Sequence, residues 1–177
     1  MKKFIFLLLA LQVSSVIGQG KSDWERENED RLKQADERVV PPPALDRARL
    51  VELDLGLAAA TDFRYFVDPA TVSVGTDRIV RYVVVGRSAS GVENVRFEGI
   101  RCPGEYRIYA VGRPDGSWGG QPTEWRSVPK QARAAENALA RRYFCPVKQA
   151  IRSPQEGVDA LRAGGHPALV REQSQQY

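Results

Sequence analysis

From residue 49 to residue 113 apolar and polar residues alternate with a period of two, and after residue 130 the spacing becomes helical. RLVELDL (49–55) alternates weakly, and DFRYFVD (62–68) is rich in aromatic and β-branched residues. RIVRYVVVGR (78–87) sets Val80, Tyr82 and Val84 against Ile79, Arg81, Val83, Val85 and Arg87. ENVRFEGIRC (93–102) sets Val95 and Phe97 against Arg96, Glu98 and Ile100. EYRIYAVGR (105–113) sets Tyr106, Ile108 and Ala110 against Arg107, Tyr109 and Val111. The loops between the last three runs are too short for a crossover, so these strands must be antiparallel neighbours. GRPDGSWGG (112–120) is a further turn, with Asp115-Gly116 supplying positive-φ positions.

Helices follow the strands. KQARAAENALARRYF (130–144) brings Ala135, Ala138, Leu139 and Arg142 or Tyr143 onto one stripe, and Pro146 stops it. In SPQEGVDALRAGG, Ser153 is an N-cap, Pro154 the first helical residue, Glu156 the partner of a capping box and Gly164 the terminator. Strands followed by helices predict an α+β domain: an antiparallel sheet of about five strands with two C-terminal helices packed on it.

The beginning of the chain reads differently. MKKFIFLLLALQVSSVIGQG has two lysines, the apolar run Phe4–Leu11 and small residues ending at Gly18, the pattern of a cleaved secretory signal. That run is less than half of the roughly 20 residues a spanning helix needs. Cleavage after Gly18 leaves Gln19 as the first residue; cleavage after Gly20 competes. No cysteine lies near the site to take a lipid, so the reading is periplasmic, exported and not lipidated, with no transmembrane anchor in the mature chain. Residues 21–38 then carry seven acids and five bases, compatible with a solvated helix or a mobile arm. PPPALD (41–46) forces extended backbone. The predicted organisation is a signal peptide at 1–18, a charged arm and Pro-rich linker at 19–46, one domain at 47–165 and a polar tail at 166–177.

An oxidising compartment changes what Cys102 and Cys145 mean. They are the only cysteines, one after a strand and one after a helix, and should pair. The bridge closes a loop worth roughly 4 kcal/mol on the chain-entropy model. A redox site would need a Cys-x-x-Cys, which is missing, and a nucleophilic cysteine would need a histidine. The single histidine, His166, lies in the tail.

Charge narrows the function. Loss of Lys2 and Lys3 lowers the net charge from +4 to +2, and bases and acids are interspersed, which argues against nucleic acid. One histidine and two cysteines do not build a common zinc site, and nucleophile-elbow, phosphate-loop and dinucleotide motifs are all missing, so no cofactor, metal or catalytic residue is assigned. The strands carry Arg64, Asp68, Arg81, Arg87, Arg96, Glu98, Arg101, Arg107 and Arg113. These are either a solvated face with weak cross-strand ion pairs or a cationic strip for a carboxylate or phosphate. The ligand-binding candidates are Arg64, Arg81, Arg87, Arg96, Glu98 and Arg101. Pairing of the two central strands should bring Arg87 against Arg96, a like-charge contact that an anion would relieve.

TDFRYFVDPATVSVGTDRIVRYVVVGRSASG, NVRFEGIRC, YRIYAVGRPDGSW and ALRAGGHP resemble the cryptic neisserial protein one-like family of proteobacterial envelope proteins, over about residues 50–167. The resemblance implies a periplasmic protein without an assigned activity and supplies no catalytic residues. Members are often described as lipoproteins, a property this chain's missing lipidation cysteine does not carry over. The expectation is a non-enzymatic envelope module that binds a partner protein or a small anionic ligand. The alternative is a metal-independent hydrolase or lyase using Glu98 or Asp68 with strand arginines. A concave pocket collecting Arg64, Glu98 and Arg101 would favour the enzyme.

Overall fold

The computed structural model describes residues 40–56, 62–132 and 134–169. The expected signal peptide, nearly all of the charged arm and most of the polar tail lie outside these residues. Eight strands form one antiparallel sheet: β1 (Val51–Glu52), β2 (Phe63–Val67), β3 (Ser73–Val74), β4 (Ile79–Ser88), β5 (Glu93–Arg101), β6 (Glu105–Gly112), β7 (Trp118–Gly119) and β8 (Arg126–Ser127). Their order is β1-β2-β4-β5-β6-β7, with β3 also on β4 and β8 also on β6. All five expected strands are present; the extra three are two-residue segments, too short to leave an alternating signature. They have a role nonetheless, because β7, β8 and the Thr123 backbone and hydroxyl hydrogen-bond along the outer edge of β6.

β4 is the centre of the sheet, and Ile79–Gly86 are all buried. Even-numbered Val80, Tyr82 and Val84, with Ile100, face one core that includes Leu139, Tyr143, Phe144, Ile151 and Leu161. The Tyr82 and Phe144 rings meet there at 5.2 Å. Odd-numbered Val83 and Val85 face a second cluster with Phe66, Val95, Phe97, Tyr109 and Ala110. Val40, Leu45 and Leu50 pack against that second cluster, so the chain around the prolines covers the face opposite the helices. Strict alternation puts Ala110 with Tyr106, but a bulge intervenes. Phe97 pairs with Ala110 and Glu98 with Ile108, which leaves Tyr109 as the extra residue and turns both Tyr109 and Ala110 into the second cluster. Gly99 makes room for the Tyr109 ring, since a Cβ there would lie 2.7 Å from Tyr109 Cε2.

The helices are shorter than expected. α1 (Ala135–Ala138) continues directly as a wider π-helical segment, Leu139–Phe144. Residues 130–132 are not helical despite their composition, because Val128 is still bonded to the sheet through the Gly104 carbonyl. The expected stripe is otherwise present, with Ala135, Ala138, Leu139 and Tyr143 buried. α2 (Pro154–Arg162) has its expected signals: the Ser153 hydroxyl accepts from the Glu156 amide, and Gly164 follows at φ +71°. The Glu156 carboxylate accepts from the Arg152 amide, one residue earlier than a capping box requires, and also meets His166 Nε2 at 3.0 Å. Cys102, just after β5, and Cys145, just after the π-helical segment, form a disulfide with Cα atoms 5.6 Å apart.

Candidate functional site

The six candidate side chains divide between the two faces of the sheet. Arg96 and Glu98 point beneath α1, where Glu98 is fully buried. The Tyr82 hydroxyl donates to Glu98 Oε2 at 3.1 Å, and Arg96 Nη2 donates to Glu136 Oε1 at 2.8 Å. Arg96 Nε lies 2.7 Å from Glu98 Oε1, but neither atom makes an aligned hydrogen bond, so this contact is an ion pair. One guanidinium therefore bridges two carboxylates at the sheet–helix interface. Burial pushes the Glu98 carboxyl up to about 7; Arg96 opposes the shift and Glu136 adds to it. Burial and the neighbouring Glu98 also raise Tyr82 well above the usual phenol range. The sequence reading missed Glu136. Its only signal was its place in the first turn of a helix with Ala135, and nothing local identifies which strand residue it meets.

The other candidates lie on the opposite face, at two ends. At one end Arg64 and Arg87 are direct cross-strand partners between β2 and β4. Their guanidinium carbons sit 5.5 and 4.8 Å from the centre of the Phe66 ring. Arg64 forms a two-pronged pair with Glu52, and Glu93 accepts from Arg87 at 2.8 Å and from Arg47 at 2.9 Å. Arg64, Arg47 and Arg87 remain 67, 52 and 39 % exposed. This end holds three guanidinium groups for two carboxylates. The expected contact between Arg87 and Arg96 does not form. The register pairs Arg87 with Glu93 and Arg96 with Val84, on opposite faces. The like-charge pair is Arg87 with Arg64 instead.

At the other end arginines and rings alternate. Arg81 lies 5.3 Å from the Tyr109 ring; Arg107 lies 5.4 Å from both Tyr109 and Trp125; Arg101 lies 4.1 Å from Trp125. Arg81 is nearly buried and forms a two-pronged pair with Asp77, at 2.7 and 3.3 Å. Arg101 meets Glu105 at 3.5 Å, and Arg107 Nε donates to the Thr123 carbonyl at 2.8 Å. Trp125 was not singled out in the sequence because it lies in a loop with no periodicity.

No single pocket collects Arg64, Glu98 and Arg101. Arg64 pairs with position 87 of β4 and Arg101 with position 79, which separates them by about 26 Å at strand rise. Glu98 is on the other face. Asp68 is fully buried and accepts from the Asp46 and Ala70 amides and from Arg49 at 3.0 and 3.2 Å. Burial raises its pKa, but the Arg49 and amide hydrogen bonds outweigh that and hold the carboxyl below its ordinary range. Its place is structural, tying the 46–49 turn to β2. Among the described residues no group of three or more His, Cys, Asp or Glu side chains is placed to hold a metal. No helix among them is long and apolar enough to cross a membrane.

A one-disulfide antiparallel sheet covered by helices on one side and an extended chain on the other defines a small α+β domain. The chain matches the model of the CNP1-like family over residues 29–162 and belongs to that family. No curated protein and no solved structure matches it.

Proposed function

We propose that this CNP1-like protein is a non-enzymatic module of the periplasm that binds an anionic group of an envelope partner through Arg64 and Arg87. The observation that carries the reading is the exposed Arg64–Phe66–Arg87 stack with Arg47 beside it. Stacking on the ring fixes the guanidinium planes; Glu52 and Glu93 take the Nε–Nη2 edges, and the Nη1 sides of the fixed planes are left to meet a phosphate or carboxylate. A third arginine exceeds the two carboxylates present, so an added anion relieves repulsion instead of adding to it. The residues of the rival enzymatic reading are poorly placed for substrate: Glu98 is enclosed by Tyr82, Arg96 and Glu136, and every Asp68 oxygen is already engaged.

Thermal unfolding tests this reading. Phosphate, sulfate or a dicarboxylate should raise the melting temperature more than chloride at equal ionic strength. Arg87→Gln should remove the excess, while Arg96→Gln should lower stability and keep it. Equal melting temperatures in all four salts would overturn the proposal.

A further inference from the structure

Beside the disulfide the chain departs from its interspersed charge. From Asn137 to Gln155 there are four bases, Arg141, Arg142, Lys148 and Arg152, and no acid. Arg141 and Lys148 line a groove of about 640 Å³ whose walls include the apolar Pro103, Ala140, Val147 and Leu169. We propose that this groove binds one molecule of an anionic amphiphile, its carboxylate or phosphate head held by Arg141 and Lys148 and its hydrocarbon tail lying along Val147 and Leu169. The proposal does not rest on the anion reading of Arg64 and Arg87.

The first support is the backbone at residues 147 and 148. Val147 has φ +48° and Lys148 φ +63°. Glycine takes that left-handed region freely, as Gly164 does at +71°, whereas a β-branched residue there is strained. Such strain persists only where the surroundings over-determine the turn, and here they do. Cys145 is tied to Cys102, the Lys148 amide donates to the Cys145 carbonyl at 3.2 Å, and the Ile151 amide donates to the Phe144 carbonyl at 3.0 Å. Arg78 Nη2 donates to the Ala150 carbonyl at 2.8 Å. Neither strained side chain serves the core: Val147 is 54 % exposed, and Lys148 is exposed too. A strained valine held out into solvent by a rigid turn is placed to meet something outside the chain.

The second support is charge. Among the described residues neither the Arg141 nor the Lys148 side chain has an ion pair or hydrogen bond, and no carboxylate lines the groove. Arg64, Arg81 and Arg87, by contrast, each hold a carboxylate. An inorganic anion would meet the two groove cations in open water, where such contacts are worth little, and would leave the apolar walls wet. A hydrocarbon tail supplies what is missing, since each methylene it buries tightens binding by up to about fourfold. The stems of Arg141 and Lys148 extend the apolar wall while their heads meet the anion. The volume of about 640 Å³ falls among single-molecule sites, which run from roughly 300 to 1,000 Å³. Two cations and one protruding valine are too few to hold a bilayer surface, which needs a larger basic patch or a second anchor.

Calorimetric titration of the protein with hexanoate, octanoate, decanoate and decyl phosphate at constant ionic strength tests this. Affinity should rise by about tenfold or more from hexanoate to decanoate, and the two decyl compounds show which head the cations prefer. Uncharged decyl maltoside should bind several-fold more weakly than decanoate. The Val147 and Leu169 methyl signals should shift saturably with decanoate. Arg141→Gln/Lys148→Gln should weaken decanoate several-fold, whereas Arg87→Gln should bind it as the unmodified protein does, which separates this groove from the Arg64 end. Val147→Gly should also weaken binding several-fold, with an unchanged or higher melting temperature, because glycine accepts the left-handed turn. No saturable response to decanoate, affinity independent of tail length, or decanoate binding that survives Arg141→Gln/Lys148→Gln would each overturn the proposal. So would a Val147→Gly protein that melts well below the unmodified one, which would make Val147 a structural residue. Tighter association with anionic phosphatidylglycerol vesicles than with monomeric decanoate would overturn it too, by making the turn a membrane contact.

Discussion

Replacing Glu98 by glutamine removes a charge that the fold holds at a cost. The carboxyl has an ordinary pKa of 4.5 and is pushed by burial to about 7 in the folded state. Between those values the folded protein binds a proton that the unfolded chain does not, so stability falls as pH rises through this window. The rise from 4.5 to about 7 corresponds to about 3 kcal/mol, absent below about pH 4.5 and complete above about pH 7. Because Glu98 is fully buried, solvent screening does not reduce the figure appreciably. The opposing carboxylates, Asp68, Glu52, Glu93, Asp115 and Glu156, have lowered pKa values and lose stability only at still more acidic pH, so they leave this window clean. Glutamine keeps the shape: its oxygen can face Arg96, while its amide reverses the Tyr82 contact by donating to the hydroxyl oxygen in place of accepting from it. Arg96 keeps Glu136 as a partner. Urea unfolding from about pH 5 to about pH 8 should show the unmodified protein losing about 2–3 kcal/mol more than Glu98→Gln does. Near pH 8 the variant should be the more stable of the two. Parallel pH profiles, or a variant less stable at every pH, would refute the reasoning and make Arg96–Glu98 a net-stabilising pair.

Three further outcomes are expected. Cys102→Ser/Cys145→Ser should lose about 4 kcal/mol, since the cysteines are 43 residues apart, and the intact protein should titrate no free thiol; two reactive thiols would contradict the bridge. Gly99→Ala should cost about 1–3 kcal/mol by driving a methyl against the Tyr109 ring, read as a lower urea midpoint with unchanged slope, and an unchanged midpoint would show that the ring moves aside freely. If the proposed export holds, N-terminal sequencing of the protein recovered from a periplasmic extract should begin at Gln19, or at Lys21 for the competing site, and a retained Met1 would remove the export reading.

Alternation in the sequence made the four long strands legible, along with which residues of β4 and β5 share a face. Ser153, Pro154 and Gly164 are local signals, and α2 lies where they put it. The bulge at Tyr109 was not legible, because an extra residue leaves the composition of a strand unchanged and shifts only its pairing. The same limit explains the site. Parity within each strand correctly put Arg81 with Arg87 on β4 and set Arg101 apart from Arg96 and Glu98 on β5, yet which face of β5 Arg87 shares depended on register, and the expectation that it meets Arg96 failed there. Glu136, 40 residues from Arg96, and Trp125, in an irregular loop, could be placed only by tertiary packing.

The central claim is that Arg64 and Arg87 bind an anionic group, and side-chain resonances report on it directly. In a titration of the isotope-labelled protein with phosphate at constant ionic strength, the Arg64 and Arg87 Nε–H signals should shift saturably, while that of Arg96, buried beneath α1, stays fixed. Linear drift shared by all exposed arginines, with no saturation at Arg64 or Arg87, would contradict the account.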